Sequence, residues 1–311
     1  IISEIGKKIG RGSFAKVYEG VPLGEMRGKF ALKLARVPPG ATQKAQFFIE
    51  KEIKIAQIVN SDDKGEQRVR EGIMETPVAI FSFENVFASR TKGLLLHRFN
   101  YSSAELLPSA RIPGVILNGF QQVIKGVGHC HSRKIFLGDI KPTNISYKDG
   151  HWRMIDLAGS IDVQGDLMLI KDEMTDTYPT DVIAHFQKLT FDEIFGVRTA
   201  DFFLYLDKIN LIEAQKKGDI DTVLSILKKM DYFAVTRSFM EIIANSQCEK
   251  IFKTIDLQGV RIVKLPENLN LMLVYLGYPE GLSEIIAQLL QGSDIDGATK
   301  RLQNLMPETQ V

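Results

Sequence analysis

The hydrophobic pattern changes character about a third of the way along the chain. Residues 5–10, 16–20 and 29–35 are short segments with β-branched or aromatic content, broken by glycines, and predict strands. Residues 43–59 predict a helix, because Phe48, Ile49, Ile53, Ile55, Ala56 and Val59 recur at mostly helical spacing. Residues 60–72 are charged and aperiodic, which predicts a loop. Residues 77–87 and 93–99 predict two further strands, so the first part of the chain is a small sheet plus one helix. From about residue 108 the pattern turns helical. Residues 115–131 carry Ile116, Phe120, Val123, Ile124 and Val127 on one face; short strands follow at 145–147 and 152–155, and helical patterns dominate from Asp181 onward. This predicts an N-terminal, β-rich lobe over 1–99 and a mainly α-helical lobe over 100–311, with the change near 99–103. Residues 213–229 have the flavour of an ankyrin helix pair, and 293–306 echo them more loosely. One such unit cannot bury its own face. Both are read as acidic helix starts, with Asp219 and Asp294 near N-caps.

Composition narrows little. The chain has 311 residues, enough for one large domain or two lobes with a sizeable core. Hydrophobic residues make up 44% and charged residues 25%, the profile of an ordinary soluble protein. Lys plus Arg total 39 against 38 Asp plus Glu, a net charge of +1. That excludes a body held to nucleic acid by bulk charge, and an acidic tail. No apolar run approaches the ~18 residues of a membrane span. The start, Ile1-Ile2-Ser3-Glu4, lacks the basic and apolar segments of a signal peptide, and also lacks an initiator Met. The chain is therefore expected to be a piece of a longer one. Two cysteines, Cys130 and Cys248, are too few for a disulfide framework, which points to a reducing cytosol.

The chemistry lies in four motifs. Gly10-Arg11-Gly12-Ser13-Phe14-Ala15-Lys16-Val17 joins two predicted strands, and its glycines would let backbone N–H groups approach phosphate oxygens. Alone it reads equally as a structural turn. In Phe30-Ala31-Leu32-Lys33-Leu34 a lysine alternates with apolar residues, which is also how a solvated edge lysine looks. Glu52 on the predicted helix is a partner for Lys33, able to orient it toward phosphates. Glu50 competes, but Ile53, Ala56 and Val59 flank Glu52 on the inward side. The fourth motif decides: Gly138-Asp139-Ile140-Lys141-Pro142-Thr143-Asn144-Ile145, then Met154-Ile155-Asp156-Leu157-Ala158-Gly159. Phosphoryl transfer needs a carboxylate near the acceptor hydroxyl, a cation on the moving phosphate and oxygen ligands for magnesium. Asp139, Lys141, Asn144 and Asp156 supply these types in one loop–strand–strand unit.

In these motifs, and in their order, the chain resembles the eukaryotic-type protein kinase family as a divergent member. The resemblance covers about residues 3–160, and His131, eight residues before Asp139, fits it too. It implies an α+β, two-lobed fold with a β-rich N-lobe bearing one helix. It implies a serine/threonine protein kinase that uses ATP and Mg²⁺ on a protein substrate, since Lys141 two residues after Asp139 resembles that type. Under it, Gly10, Gly12, Val17 and Ala31 enclose the nucleotide, Leu96 is the gatekeeper, and His97 to Phe99 form the hinge. Lys33, held by Glu52, meets the α- and β-phosphates; Asn144 and Asp156 hold the metal; Asp139 and Lys141 are catalytic. Several positions depart from the family. The third glycine of the loop is Ala15, and the His-Arg before the catalytic aspartate is Leu137-Gly138. The family's arginine there meets a phosphorylated loop, so its absence implies a different switch. Asp-Phe-Gly has become Asp156-Leu157-Ala158, which should restrict backbone flips at Ala158. Pro179 to Val182 is the counterpart of Ala-Pro-Glu, and Asp201 that of the family's buried aspartate. Such erosion resembles the kinases that bacterial pathogens secrete as effectors, which would put the protein in a host cytosol.

Two other readings stay open. Gly138-Asp139 resembles the loop of aminoglycoside and choline kinases, although those carry His where Lys141 stands. The Leu137-Gly138 and Leu157-Ala158 changes would suit a pseudokinase scaffold, although a scaffold has no need of Lys33, Glu52, Asp139, Lys141, Asn144 and Asp156 together. Elsewhere the plainer reading prevails. Cys130 and Trp152 are expected to be packing residues, residues 62–70 a solvated loop, and the five histidines show no zinc spacing.

Overall fold

The computed structural model describes residues 2–11, 15–22, 30–35, 42–59, 79–84, 90–97, 101–102, 111–148, 150–165, 210, 213–214, 216–247, 253–257, 260–264 and 268–305. Strands β1 (Ile2–Arg11), β2 (Ala15–Pro22) and β3 (Phe30–Ala35) pair antiparallel in sequence order. β4 (Ala79–Glu84) pairs with β5 (Arg90–His97), and β5 inserts beside β3, giving the order β1-β2-β3-β5-β4. The register sets Val17 opposite Lys33, Lys33 opposite Leu94, and Ala31 opposite Leu96. Directly opposed residues share a face and side chains alternate with period two, so these five lie on one side of the sheet.

Helix α1 (Thr42–Val59) packs on that side. Its apolar residues serve two cores. Ile49 and Ile53, one turn apart, join Ala15, Ala35 and Leu94 under the sheet. Ile55, Ala56 and Val59 leave the helix toward the second part of the chain. The helix is therefore a wedge between two packed bodies, and this is what makes it able to carry a side chain between them.

In the second part, β6 (Tyr101–Ser102) pairs with β8 (Ile145–Lys148) and not with the first sheet. Helix α2 (Pro113–Ser132) starts with proline at its first turn, where no N–H is missed. Its predicted face, Ile116, Phe120, Val123, Ile124 and Val127, is buried. β7 (Ile135–Phe136) pairs with β10 (Ile161–Asp162), and β8 with β9 (His151–Met154), so two short ladders hold the segment from 135 to 162. Trp152 is wholly buried at the centre, its ring 5.2 Å from Tyr147 and 5.8 Å from Phe239. Cys130 lies in the same core, as expected of a small hydrophobe.

Helix α3 (Ile220–Gln247) runs 28 residues. It opens on Asp219, which accepts from the N–H of Thr222 at 3.1 Å, and the described residues just before it, 213–214 and 216–217, are helical and end in a turn at Gly218, φ 70°. β11 (Lys253–Leu257) and β12 (Val260–Lys264) form a hairpin. Helices still dominate the described residues of this region, as expected, and the hairpin is the exception: residues 255–262 alternate apolar and polar around Gln258-Gly259. Helices α4 (Leu269–Tyr275), α5 (Leu282–Gln291) and α6 (Ile295–Gln303) follow, and Asp294 caps α6 by accepting from Gly297 N–H. No helix among the described residues is long and apolar enough to cross a membrane.

Candidate functional site

The site lies where α1, the first sheet and the loops around β8 and β9 meet. Lys33 projects from β3 and is 6% exposed. Its ammonium donates to Glu52 Oε1 at 2.9 Å and to Asp156 Oδ1 at 2.8 Å, with Glu52 Oε2 also 2.8 Å away. Glu52, not Glu50, is thus the helix partner, because the residue beside Ile53 on the inward side faces the sheet. Burial alone would pull the lysine's proton affinity down, but the two carboxylates outweigh it and hold Lys33 above its ordinary value. Burial pushes Asp156 up, and Lys33 together with the Ala158 N–H reverses this and holds it below the ordinary carboxylate range.

Asp156 adopts a left-handed backbone, φ 68°, which aspartate tolerates because its short side chain bonds locally. Here Oδ1 accepts from Ala158 N–H at 3.2 Å and caps a 3₁₀ turn over Leu157–Gly159. Leu157 is buried in the same core as Ile55, Ala56 and Val59 of α1. The turn is therefore pinned at both its carboxylate and its apolar residue.

The second half of the site is the loop from Leu137 to Asn144. Lys141 Nζ donates to both Asp139 oxygens, at 2.9 and 2.8 Å. Asn144 Nδ2 donates to the Asp139 carbonyl at 2.9 Å and to Oδ2 at 3.0 Å. Gly138 has φ 71°, and Asp139 N–H reaches back to the Leu137 carbonyl at 2.9 Å. That is a three-residue turn with a positive central φ, a strained form that glycine adopts without a Cβ penalty. Glycine at position 138 thus suits the local backbone.

Sequence reasoning missed the residue behind this loop. Asp231, in the middle of α3, is 1% exposed. It accepts from Leu137 N–H at 3.0 Å and Gly138 N–H at 2.9 Å, and meets His131 Nε2 at 2.8 Å. Asp201, expected in a buried aspartate's place, lies outside the described residues; the buried aspartate at this loop is Asp231. An available signal was its spacing: it stands one turn from both Leu227 and Val235, which are buried apolar residues.

Of the other expected site residues, Gly10 sits on β1 opposite Val17, and Leu96 is half-buried opposite Ala31. His97 ends β5, its side chain outside the described residues, as are Gly12, Phe99 and residues 62–70 and 179–182. Asp156 Oδ2 and Asn144 Oδ1 make no hydrogen bond among the described residues. They are hard oxygen donors on adjoining segments, a set that fits Mg²⁺.

Residues 3–180, more than half of the chain, match the family model described as the protein kinase domain. The chain is also similar to the CBL-interacting serine/threonine-protein kinase 26 of Arabidopsis thaliana, with 29% identity over 147 residues. That alignment covers 46% of this chain and 29% of the relative, so the chain spans under a third of the relative's length.

Proposed function

This chain belongs to the protein kinase family, and we propose that it is an ATP-dependent serine/threonine kinase that phosphorylates a protein hydroxyl. The β-sheet region and the helical region are the two lobes of the kinase fold, and we set their boundary between residues 99 and 100. One observation carries the reading: Lys33, Glu52 and Asp156 converge within hydrogen-bond distance from three separate segments, beside a loop on which Asp139, Lys141 and Asn144 are already bonded together.

In this reading the adenine lies against Ala31 and Val17, below Leu96, and takes its backbone hydrogen bonds from residues 97–99. Gly10 and Gly12 let the backbone close over the phosphates. Lys33 binds the α- and β-phosphates, and Glu52 keeps its ammonium aimed at them. Asn144 and Asp156 hold Mg²⁺, which when bound neutralises phosphate charge. Asp139 orients the acceptor hydroxyl and takes its proton; Lys141, already on Asp139, swings its charge to the γ-phosphate. The rate gain is mostly positioning and electrostatics. Serine/threonine preference is supported by Lys141 and by the name of the plant relative.

The test is Asp139→Ala. Transfer of labelled phosphate from ATP to casein, or to the chain itself, should fall about 10²–10⁴-fold, the usual worth of a positioned base. A thermal shift with Mg-ATP should persist, because Asp139 does not hold the nucleotide. Undiminished transfer overturns the assignment, and ATP binding by the wild type without transfer to any acceptor points to a scaffold.

A further inference from the structure

A second ion pair joins α1 to the segment that carries Asp156. Lys54 Nζ lies 3.3 Å from Asp162 Oδ2. The lysine side chain is 47% exposed, and the aspartate side chain 14%. The aspartate is held from two other directions. Its Oδ1 accepts from Gly165 N–H at 3.0 Å, and its backbone is in the β10–β7 ladder opposite Ile135. Val163 N–H continues that ladder to the Lys134 carbonyl at 3.0 Å. A Cβ on Gly165 would collide with the Asp162 carboxylate and come within 3.2 Å of the Lys54 ammonium, so the turn closes directly over the pair. Asp162 is therefore a fixed anchor, and Lys54 is the adjustable partner.

Glu52 and Lys54 are two positions apart on α1. Helical residues turn about 100° each, so the two side chains leave the axis about 200° apart. Glu52 reaches Lys33 and, through it, Asp156. Lys54 reaches Asp162, six residues further along the same segment. One contact fixes where a helix lies; two contacts on different faces also fix its rotation about its own axis. A rotation that broke the Lys54 contact would carry Glu52 away from Lys33.

We propose that Lys54 and Asp162 are positioning residues for phosphoryl transfer, their ion pair setting the rotation of α1 that keeps Glu52 on Lys33. The inference rests on the reading of Lys33 as the phosphate-binding lysine. It assigns the pair no contact with nucleotide or acceptor. The clamp needs no modification of the chain, because both its charges are encoded.

The experiment is a double-mutant cycle on the 311-residue chain, with labelled ATP, Mg²⁺ and casein. Lys54→Met and Asp162→Asn should each lower kcat about fivefold, and the double variant no further, since each removes the same pair. The KM for casein should not move. Lys54→Arg should retain kcat within about twofold, as it keeps the charge and the reach. Raising ionic strength should slow the wild type more than Lys54→Met, because a half-exposed pair is screened. Melting curves establish that each variant is folded; if Asp162→Asn is not, the Met and Arg variants of Lys54 decide. Unchanged kcat in Lys54→Met, or losses that multiply in the double variant, overturn the clamp and leave the kinase reading standing. A wild type that transfers no phosphate overturns both.

Discussion

A single buried carboxylate sets the shape of the loop that bears Asp139. Asp231 accepts from two successive backbone amides and meets His131 within 2.8 Å. With Asp231→Ala, the buried Leu137 N–H would have no acceptor, a cost of about 1–3 kcal/mol, and the half-buried Gly138 N–H would lose its bond as well. Against a total stability of about 5–15 kcal/mol this is large. The variant should melt several degrees lower in a calorimetric scan. If the proposed kinase reading holds, it should also lose kcat more than affinity for ATP, because the loop under Asp139 slackens while the first sheet is untouched. Asp231→Asn should lie between, since its amide oxygen still accepts. Equal kcat in all three proteins would show that the loop holds its shape without this carboxylate. The residues proposed to carry the chemistry were legible because their motif is local: Asp139, Lys141 and Asn144 lie within six positions. Asp231 is about ninety positions away and has no motif of its own.

At the scale of elements, α2 and β9 show how a glycine can be required inside a helix. A Cβ on Gly119 would sit 2.5 Å from the Trp152 ring, closer than side-chain carbons approach. Helix propensity favours Gly119→Ala by about 1 kcal/mol. Overpacking a rigid indole that is itself wholly buried costs about 1–3 kcal/mol and more when backbone must shift. The clash should win, so Gly119→Ala is expected to be destabilising by urea unfolding; a neutral or stabilising result would mean that Trp152 moves freely. The predicted helices appear near their expected places because their periodicity runs over 18 residues in α1 and 20 in α2, and the predicted strands because β-branched and aromatic runs are bounded by turn residues. The hairpin β11–β12 carries an alternating signal as well, Ile255-Asp256-Leu257 and Val260-Arg261-Ile262 around Gln258-Gly259, but it is brief and set among helical patterns. The placement of β5 between β3 and β4 has no such signal, since strand order depends on contacts that no local pattern encodes.

At the scale of the whole molecule, the Lys33 cluster joins the lobes and makes that junction dependent on pH. Asp156 is held below its ordinary value, so its contribution is present above the carboxylate range, near pH 4, and is lost as pH falls through the lowered value. Lys33 is held above its ordinary value, so its contribution is complete below about pH 10 and lost as pH rises past the lifted value. Asp156 and Lys33 therefore contribute most across neutral pH, while Glu52, whose carboxyl burial lifts above its ordinary value, works against them there. Lys33→Met leaves Glu52 and Asp156 without their cation. The gap in melting temperature between wild type and this variant should be widest near pH 7 and shrink below about pH 4. A gap that stays constant across that range would mean that the three charges are not coupled through folding.

By itself, the sequence determined that a β-rich stretch precedes a helical one, and which residue types stand ready for phosphate chemistry. Turn glycines, period-two and period-3.6 patterns and closely spaced polar motifs are local properties that a linear text carries in full. It also marked Glu52 over Glu50, because the apolar neighbours of a helical residue reveal its inward face. Only the tertiary structure decided what those residues meet. It brought Asp156 onto Lys33 across 123 positions, put Asp231 behind the loop of Asp139, and set Lys54 against Asp162. The reason is physical: the energy of a charge depends on its partner's distance and on the water excluded around it, and neither is a property of one stretch of chain.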